Sequence, residues 1–278
     1  FLTQPTISAH ISSLEKELNA RLFVRNTKEV KLSDDGKDLY RYARQMIDLQ
    51  KKIEERFETG KEESKHLITI AASTIPAQYL LPKILMKFNE RYPKEQVKLL
   101  ETDSSQVVTQ IIDHMVDVGF TGTVLEKKHC KYIPFYKDEL VVITPNTEKY
   151  QKLLEDMPDD ISWIGGEHLI MREEGSGTRK EAGKQLRAAG INLDKLKIIA
   201  SIENQETIKK SVKQGMGISV ISRLAAEDEV KYGDLLAFSI PKADQGRDIN
   251  LVYNKNYQMS KSIERFVKIV KEIYGIEE

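Results

Sequence analysis

A short stretch of small and charged residues, REEGSGTRKEAG at positions 172–183, has the composition of an anion-binding turn. A glycine-rich turn that leads into a helix presents free backbone N–H groups, and the helix dipole favours negative charge there. The hydroxyls of Ser176 and Thr178 add donors, and Arg179 can pair with an anion or fix the turn. The alternative is a structural turn with a solvent-facing arginine. Ser176, Gly177, Thr178 and Arg179 are therefore candidate anion ligands.

The glycine spacing argues against a nucleotide phosphate as that anion. A P-loop needs four residues between its glycines, whereas Gly177 and Gly183 are separated by five, and Gln185 occupies the position of the hydroxyl. A dinucleotide fingerprint that starts at Gly175 and Gly177 would need glycine in place of Lys180. The turn is therefore predicted to bind a small anion as a signal.

Other predicted strand ends carry small polar residues as well. The apolar run LITIAAS (67–73) leads into a helix that opens at Thr74, and a helix cap accounts for only one of its two hydroxyls. The segments VDVGFTGT and LKIIASIENQET likewise contain a predicted strand followed by polar residues. Ligands of open α/β sheets bind beyond the carboxyl ends of strands, so these residues are further candidate effector contacts. They are Ser73, Thr74, Ile75, Thr121, Gly122, Thr123, Asn204 and Gln205.

The chain lacks the sequence patterns of catalysis or of a metal site. Its five histidines are scattered, and neither H-E-x-x-H nor G-x-S-x-G occurs. The one cysteine, Cys130, excludes an internal disulfide and fits a reducing cytosol, and His129 beside it has no second Cys/His pair at ligand spacing. We predict no catalytic residue, no metal and no cofactor apart from a small-molecule effector.

Length and composition indicate a globular protein with more than one domain. A chain of 278 residues favours two or three domains. Lys+Arg and Asp+Glu both number 43, so the whole chain has no sign bias, although a small basic module can lie within a neutral chain. Without an apolar run of ~18 residues or a secretory signal, a cytoplasmic location and no membrane partner are expected. The start, FLTQPTIS, suggests an element cut in the middle.

The first 33 residues predict a helix with one polar face, followed by a hairpin. Ile7, Ile11, Leu14 and Leu18 share one face, and short hydrogen-bonding side chains suited to bases and phosphates occupy the rest. The segment LFVRNTKEVKLS is typical of a wing whose basic tip contacts phosphates. An ordinary surface helix is the alternative. The candidate DNA contacts are Thr3, Gln4, Pro5, Thr6, Ser8, His10, Ser12, Ser13, Arg25 and Lys28.

A long helix is predicted to follow, with Ser33 as its cap and Asp34 and Asp35 in its positive first turn. An apolar stripe at 3-4 spacing runs along it, which indicates a dimerisation helix. The alternative is a helix packed on its own chain. The polar segment GKEESKH (60–66) predicts a linker. The stripe consists of Leu39, Tyr42, Met46, Leu49 and Ile53.

From Leu67 onward, strands alternate with amphipathic helices, a pattern of α/β layers over a largely parallel sheet. KDELVVITP (137–145) is interpreted as a crossing into a second lobe, and GDLLAFSIP (233–241) as the return. The expected boundaries are 67–143 and 241–278 for the first lobe and 144–240 for the second.

The segments LTQPTIS, LEKELNARLF and KLSDDG resemble the recognition helix, wing and linker helix of LysR-type transcriptional regulators. The resemblance implies a partial winged helix-turn-helix at residues 1–33, without its first helix and most of its second. It also implies a dimerisation helix and hinge at 34–66, and then a two-lobed α/β effector domain like that of periplasmic binding proteins. The stretch ASTIPAQYLLP is similar to the branch that responds to sulfur and cysteine metabolism.

The function implied by this resemblance is DNA-binding regulation of transcription under the control of a small anionic effector between the lobes. The implied partners are operator DNA, the effector, RNA polymerase and further copies of the chain in a homodimer or homotetramer. The effector would be sulfate, acetylserine or another small carboxylate. The alternatives are a solute-binding protein for a small anion and an anion-processing enzyme.

Overall fold

The computed structural model describes residues 3–25, 30–57, 67–156, 160–241, 246–256 and 258–276. The chain divides into two compact units, Phe1–Ser64 and Lys65–Glu278. The division falls inside the polar segment 60–66 that the sequence identifies as a linker.

The first unit contains the predicted helix, hairpin and long helix. The strands of the hairpin pair antiparallel, with Phe23 opposite Leu32. Residues 26–29 lie outside the described residues, so the prediction for the tip of the hairpin has no structural counterpart here. The elements are α1 (Gln4–Glu17), β1 (Phe23–Arg25), β2 (Val30–Leu32) and α2 (Asp34–Phe57).

Three local contacts explain why the hairpin sits between the two helices. Glu15 Oε1 accepts a hydrogen bond from the backbone N–H of Leu22 at 2.8 Å, which ties α1 to the hairpin. Ser33 Oγ accepts from the N–H of Gly36 at 2.9 Å, so Ser33 caps α2 as predicted. A Cβ atom on Gly36 would lie 2.0 Å from the carbonyl oxygen of Leu22, so this close approach requires glycine.

The second unit consists of two five-stranded sheets flanked by helices. The strands are β3 (Leu67–Ala72), β4 (Gln96–Glu101), β5 (Val118–Thr121), β6 (Cys130–Asp138), β7 (Leu140–Pro145), β8 (His168–Met171), β9 (Lys197–Ser201), β10 (Ile218–Ser222), β11 (Leu235–Ser239) and β12 (Arg247–Asn254). The α-helices are α3 (Leu81–Arg91), α4 (Ser104–Ile112), α5 (Glu148–Asp156), α6 (Gly177–Ala188), α7 (Gln205–Lys213), α8 (Arg223–Lys231) and α9 (Lys261–Tyr274). Short 3-10 helices span Ser162–Gly166 and Leu193–Lys195.

The two sheets define two lobes. The strand order is β4-β3-β5-β12-β6 in the first lobe and β11-β7-β10-β8-β9 in the second. Four of the five strands in each sheet run in the same direction, as expected for a largely parallel sheet. The exceptions are β12, which runs antiparallel to β5 and β6, and β7, which runs antiparallel to β10 and β11. Each of these reversed strands follows a passage of the chain from one sheet to the other.

The lobe boundary predicted at 143/144 lies too far along the sequence. All of β7 (Leu140–Pro145) belongs to the second sheet, so the chain passes between the lobes at Glu139. A cut at 143/144 would divide a fully buried strand. The return passage lies between Ser239 at the end of β11 and Arg247 at the start of β12.

The cores of the lobes are not separate at the crossings. One apolar cluster includes Ile70 of β3 and Ile143 of β7, so it draws on both sheets. In the first lobe, the ring of Phe266 on α9 lies 5.2 Å from the ring of Phe88 and 6.2 Å from that of Phe120. These edge-on contacts hold α9, the last helix of the chain, on the first sheet.

A π-helical turn precedes α3. The segment Pro76–Leu80 is π-helical, and the N–H of Leu81 bonds the carbonyl of Pro76. Pro82 has no backbone N–H and would interrupt an α-helix that ran through it, and the wider turn accommodates that proline. The helical stretch therefore begins at Thr74, directly after β3.

Candidate effector site

Four helical segments begin beside one cleft between the lobes. In the first lobe these are the stretch that starts at Thr74 and α4, which starts at Ser104. In the second lobe they are α6, which starts at Gly177, and α7, which starts at Gln205. Helix N-termini present positive partial charge and unpaired N–H groups, so their convergence favours an anion.

A small cavity, here called the inner cavity, lies where three of these segments meet, those that start at Thr74, Ser104 and Gly177. Its volume of about 20 Å³ gives room for little more than one water molecule. It is lined by Ser73, Thr74, Ile75, Asp103, Ser104, Arg172, Glu173, Ser176, Gly177, Thr178 and Arg247. The structure thus brings together the predicted residues of the first strand end with those of the Gly-Ser-Gly turn.

A larger cavity, here called the outer cavity, adjoins the inner one and has a volume of about 410 Å³. Four residues line both cavities. Three predicted residues, Thr74, Asn204 and Gln205, line it. The lining residues are Thr74, Gln78, Glu101, Thr102, Asp103, Arg172, Glu173, Glu203, Asn204 and Gln205.

The inner cavity is also lined by two buried arginines that were not predicted from the sequence. Arg172 is 6% exposed and donates two hydrogen bonds to the Glu173 carboxylate, at 2.8 and 2.9 Å. Arg247 is also 6% exposed and donates from Nε and Nη2 to Asp138 Oδ2, at 2.9 and 2.8 Å. Two hydrogen bonds from one guanidinium to a carboxylate fix its plane, so both cations are held in place before a ligand arrives.

The chain positions three of these helix starts with polar caps. Asp103, rather than Ser104, caps α4, because its carboxylate accepts from the N–H groups of Ser105 and Gln106 at 2.8 and 2.9 Å. Ser176 caps α6 weakly, at 3.4 Å, and Asn204 caps α7 by accepting from the Thr207 N–H at 2.9 Å. The oxygens of Ser176 and Asn204 are therefore already engaged in local capping.

Gln205 differs from these caps because its side-chain amide has no partner within the described chain. The residue is 2% exposed, and neither Oε1 nor Nε2 makes a hydrogen bond to another described group. A buried polar atom without a partner costs about 1–3 kcal/mol. An amide held in this state at a cavity wall is ready to bond a ligand.

Several predicted contacts lie away from both cavities. Thr121 is fully buried, and its hydroxyl donates to the carbonyl oxygen of Thr123 at 2.9 Å. This hydroxyl therefore stabilises the turn at residues 121–123. Gly122 lies against the guanidinium of Arg247. Arg179 donates from Nη1 to the carbonyl of Arg172 at 2.9 Å, so it supports the turn.

The lobes touch directly at Gly177. A Cβ atom there would lie 3.0 Å from Ser104 Oγ and 3.3 Å from Thr123 Cγ2, both in the first lobe. Gly175 similarly faces the carboxylate of Asp103, at 3.3 Å from the Cβ position. The glycines of the turn therefore permit close contact between the lobes, in addition to exposing N–H groups.

The candidate DNA contacts are grouped on α1. Thr3 stands at its N-cap position, but the Thr3 hydroxyl meets Thr6 Oγ1 at 2.9 Å and caps no backbone N–H. Gln4, Pro5, Ser8, His10 and Ser13 are exposed, whereas Thr6 and Ser12 are partly buried. Arg25 ends β1, and Lys28 lies outside the described residues.

The predicted apolar stripe of α2 is largely exposed in the described chain. Tyr42 is 56% and Met46 72% exposed, Leu49 and Ile53 are both more than half exposed, and Leu39 is partly buried. An exposed stripe at heptad spacing fits a second helix better than packing within the chain.

If this stripe forms the dimer interface, the double substitution Met46→Glu/Leu49→Glu should dissociate the chain by at least one association step. Charges in a helix seam are costly because they are desolvated without a partner. Analytical ultracentrifugation would measure the mass. Tyr40→Glu is the matched control, since Tyr40 is 54% exposed and lies off the stripe. An unchanged mass in the double variant would contradict this role for α2.

The lone cysteine has no chemical role in this arrangement. Cys130 is buried at the start of β6, and burial raises the pKa of its thiol to about 11. The group is therefore a neutral thiol at physiological pH, consistent with an unreactive packing residue.

A helix and hairpin joined to a long helix, followed by a two-lobed α/β unit with a ligand-sized cleft, define a DNA-binding regulator with an effector domain. The family model described as LysR substrate binding domain matches residues 61–274. The model described as bacterial regulatory helix-turn-helix protein, lysR family, matches residues 1–37. The chain belongs to the LysR family of transcriptional regulators.

Similar proteins agree with this assignment. An uncharacterised helix-turn-helix regulator of Methanocaldococcus jannaschii, MJ0300, is 29% identical over 98% of this chain and 90% of its own length. The regulator CysL of Bacillus subtilis is 26% identical over 98% of this chain and 89% of its own length. The solved effector-binding domain of QuiR in complex with shikimate has the same fold, with a TM-score of 0.67, 16% identity and coverage of 76% of this chain and 98% of that domain.

The family assignment decides between the functions that the sequence left open. A regulator with a helix-turn-helix is favoured over a solute-binding protein, and the family is one of regulators rather than enzymes. None of the described helices is both long and apolar enough to cross a membrane.

Proposed function

We propose that this regulator senses a small anion held in the inner cavity between its two lobes. The observation that carries the proposal is that three helical N-termini, two from the first lobe and one from the second, meet at the inner cavity, where Arg172 and Arg247 are buried. Ser73, Thr74, Ile75, Ser176, Gly177 and Thr178 would contact the anion, and Asn204 and Gln205 would contact the rest of the ligand. Sulfate, acetylserine and other small carboxylates are the first ligands to test.

Binding would change the arrangement of the lobes. The inner cavity holds about 20 Å³ in this structure, so an anion would enter when the lobes separate at Gly177 and would be held when they close on it. The anion then contacts donors of both lobes together. A ligand that binds one arrangement more tightly than the other shifts the equilibrium between them, and only that difference in affinity can act as a signal.

The signal would reach DNA through the first unit. The polar face of α1 from Thr3 to Ser13 would lie on operator DNA, with Arg25 and Lys28 of the hairpin at the phosphate backbone. Association of α2 helices would place two such units on one operator as a homodimer, and two dimers would form a homotetramer. RNA polymerase is the partner through which such an oligomer would act on transcription.

A thermal-shift screen of the whole chain tests the effector site. The anions would be sulfate, thiosulfate, acetylserine, simple dicarboxylates and aromatic carboxylates, in a buffer free of phosphate. A ligand at ~100 times its dissociation constant should stabilise the protein by roughly 2.7 kcal/mol. Thr74→Ala and Thr178→Ala should each reduce the shift, because these residues line the inner cavity from opposite lobes.

Thr109→Ala is the matched control, since Thr109 is exposed on α4 and lines neither cavity. It should leave the shift unchanged. If no anion stabilises the chain, or if all three variants respond like the parent protein, the proposed site is wrong.

A further inference from the structure

The two cavities of the cleft have different charge. The inner cavity is lined by two guanidinium groups, Arg172 and Arg247, and by two carboxylates, Asp103 and Glu173, while the buried Asp138 outside the lining pairs with Arg247. The positive potential of this cavity comes from the helix N-termini. In the outer cavity, Glu101, Asp103, Glu173 and Glu203 face only one cation, Arg172. A ligand that spans the cleft therefore meets a positive region at one end and a negative region at the other.

Gln205 supplies the second observation. Its amide is 2% exposed, lines the outer cavity and has both polar atoms without a partner in the described chain. An amide oxygen accepts a hydrogen bond from an ammonium group, and an amide nitrogen donates to a carboxylate. This one side chain can therefore bond both ends of a small dipolar molecule.

The exposure of the acidic groups fits a cation that stays partly hydrated. Glu101 and Glu203 are exposed at the rim of the outer cavity, whereas Arg172 and Arg247 are buried. The outer cavity, about 410 Å³, lies within the range of roughly 300–1,000 Å³ that small-molecule sites occupy. It has room for a short chain that joins an acid to an amine.

We propose that the effector is a zwitterion of the amino-acid or aminosulfonate class. This inference rests on the proposed function, since it assigns the ligand of the same cleft. The acidic group binds in the inner cavity at Arg172, Arg247 and the helix N-termini. The ammonium group lies in the outer cavity, where it donates to Gln205 Oε1 and is neutralised by Glu101 and Glu203.

Matched pairs of ligands test this assignment with the whole chain by titration calorimetry, at constant ionic strength and without phosphate or sulfate. The pairs are taurine with isethionate, L-serine with 3-hydroxypropionate, and O-acetyl-L-serine with N-acetyl-L-serine. Within each pair the acidic group is kept and the free amine is removed. In at least one pair, the amine-bearing member should bind at least ~10-fold more tightly.

Charge removal at the rim should abolish that preference. Glu203→Gln should bring the ratio of affinities within the pair to about 2-fold or less. Glu174→Gln is the control, since Glu174 is 94% exposed, carries the same charge and lines neither cavity. The control should keep the full preference. If Glu203→Gln also keeps it, the placement of the ammonium group is overturned.

Gln205→Met separates a ligand contact from a structural role. The substitution should weaken binding of the amine-bearing ligand at least ~10-fold without lowering the melting temperature of the free protein, because it removes an unpaired buried amide. Gln214→Met, at the exposed far end of α7, should change neither quantity. A lower melting temperature with unaltered binding would contradict the role of Gln205.

The outcomes also distinguish the two proposals. If the amine-free members bind equally well or more tightly, the zwitterion is excluded and the anion site stands. If neither the six compounds nor the simple anions of the thermal-shift screen bind, both proposals fail.

Discussion

Asp138→Asn should lower the free energy of unfolding by about 3–5 kcal/mol. Asp138 is 1% exposed and accepts two hydrogen bonds from the guanidinium of Arg247, which is 6% exposed, and a third from Ser222 Oγ at 2.5 Å. The substitution keeps the shape of the side chain and removes its charge. It therefore leaves a buried guanidinium without its counter-ion. Urea denaturation followed by far-UV circular dichroism would measure the change.

The same pair of strands provides the control for this prediction. Lys137 and Asp248 are neighbours of Asp138 and Arg247 on β6 and β12, and they form an ion pair of 2.7 Å that is 58% and 43% exposed. Asp248→Asn should cost about 1 kcal/mol or less, because water screens an exposed pair. If Asp138→Asn and Asp248→Asn lower the free energy of unfolding equally, burial does not determine the strength of the Asp138–Arg247 ion pair.

Loss of the Asp138 charge should also affect the effector site. Asp138 ends β6, directly before the passage of the chain into the second lobe, and its partner Arg247 lines the inner cavity. Asp138 is therefore a positioning residue for Arg247.

Next to Asp138, Glu139 pairs with Arg223 at 2.6 and 2.9 Å, and this contact lowers the pKa of the Glu139 carboxyl.

Most of the fold could be predicted because local patterns determine it. The apolar face of α9, the buried runs of β3 and β10 and the Ser33 cap of α2 are all evident from spacing and residue type. The direction of β7 and β12 could not be predicted, since it depends on which strands they meet after the chain changes sheet. That is a non-local choice that the residues of either strand do not encode.

The candidate site was predictable where a strand leads directly into a helix. Thr74, Ser176 and Gln205 could be identified because small polar residues stood at such junctions. Arg247 could not, because its position opposite Asp138 arises from strand pairing across more than 100 residues. A single signal was available, namely an arginine at the start of the strand RDINLVYN, which also carries the apolar residues Ile249, Leu251 and Val252. Arg172 is the first residue of the stretch 172–183, but only the fold shows that it is buried.

Gly177→Val should make the effector site unable to close. The Cβ position of Gly177 already lies 3.0 Å from Ser104 Oγ and 3.3 Å from Thr123 Cγ2, so a branched side chain must push the first lobe away. The anion would keep its contacts in one lobe and lose those in the other. Two hydrogen bonds to a charged ligand, at about 1.5–3 kcal/mol each, correspond to a loss of affinity of roughly 100-fold or more.

The measurement is the melting shift with the same anions, compared between the parent protein and the variant. Gly183→Ala is the control, because Gly183 lies on the same helix and its Cβ would meet only ordinary contacts, the nearest at 3.4 Å from Leu193. That variant should keep the full shift. Gly177 and the residues that it approaches lie outside the apolar clusters of the described chain, so the melting temperature of the free protein should fall much less than its response to ligand. A variant that still responds fully would mean that the anion binds to one lobe alone, and closure at Gly177 would then carry no signal.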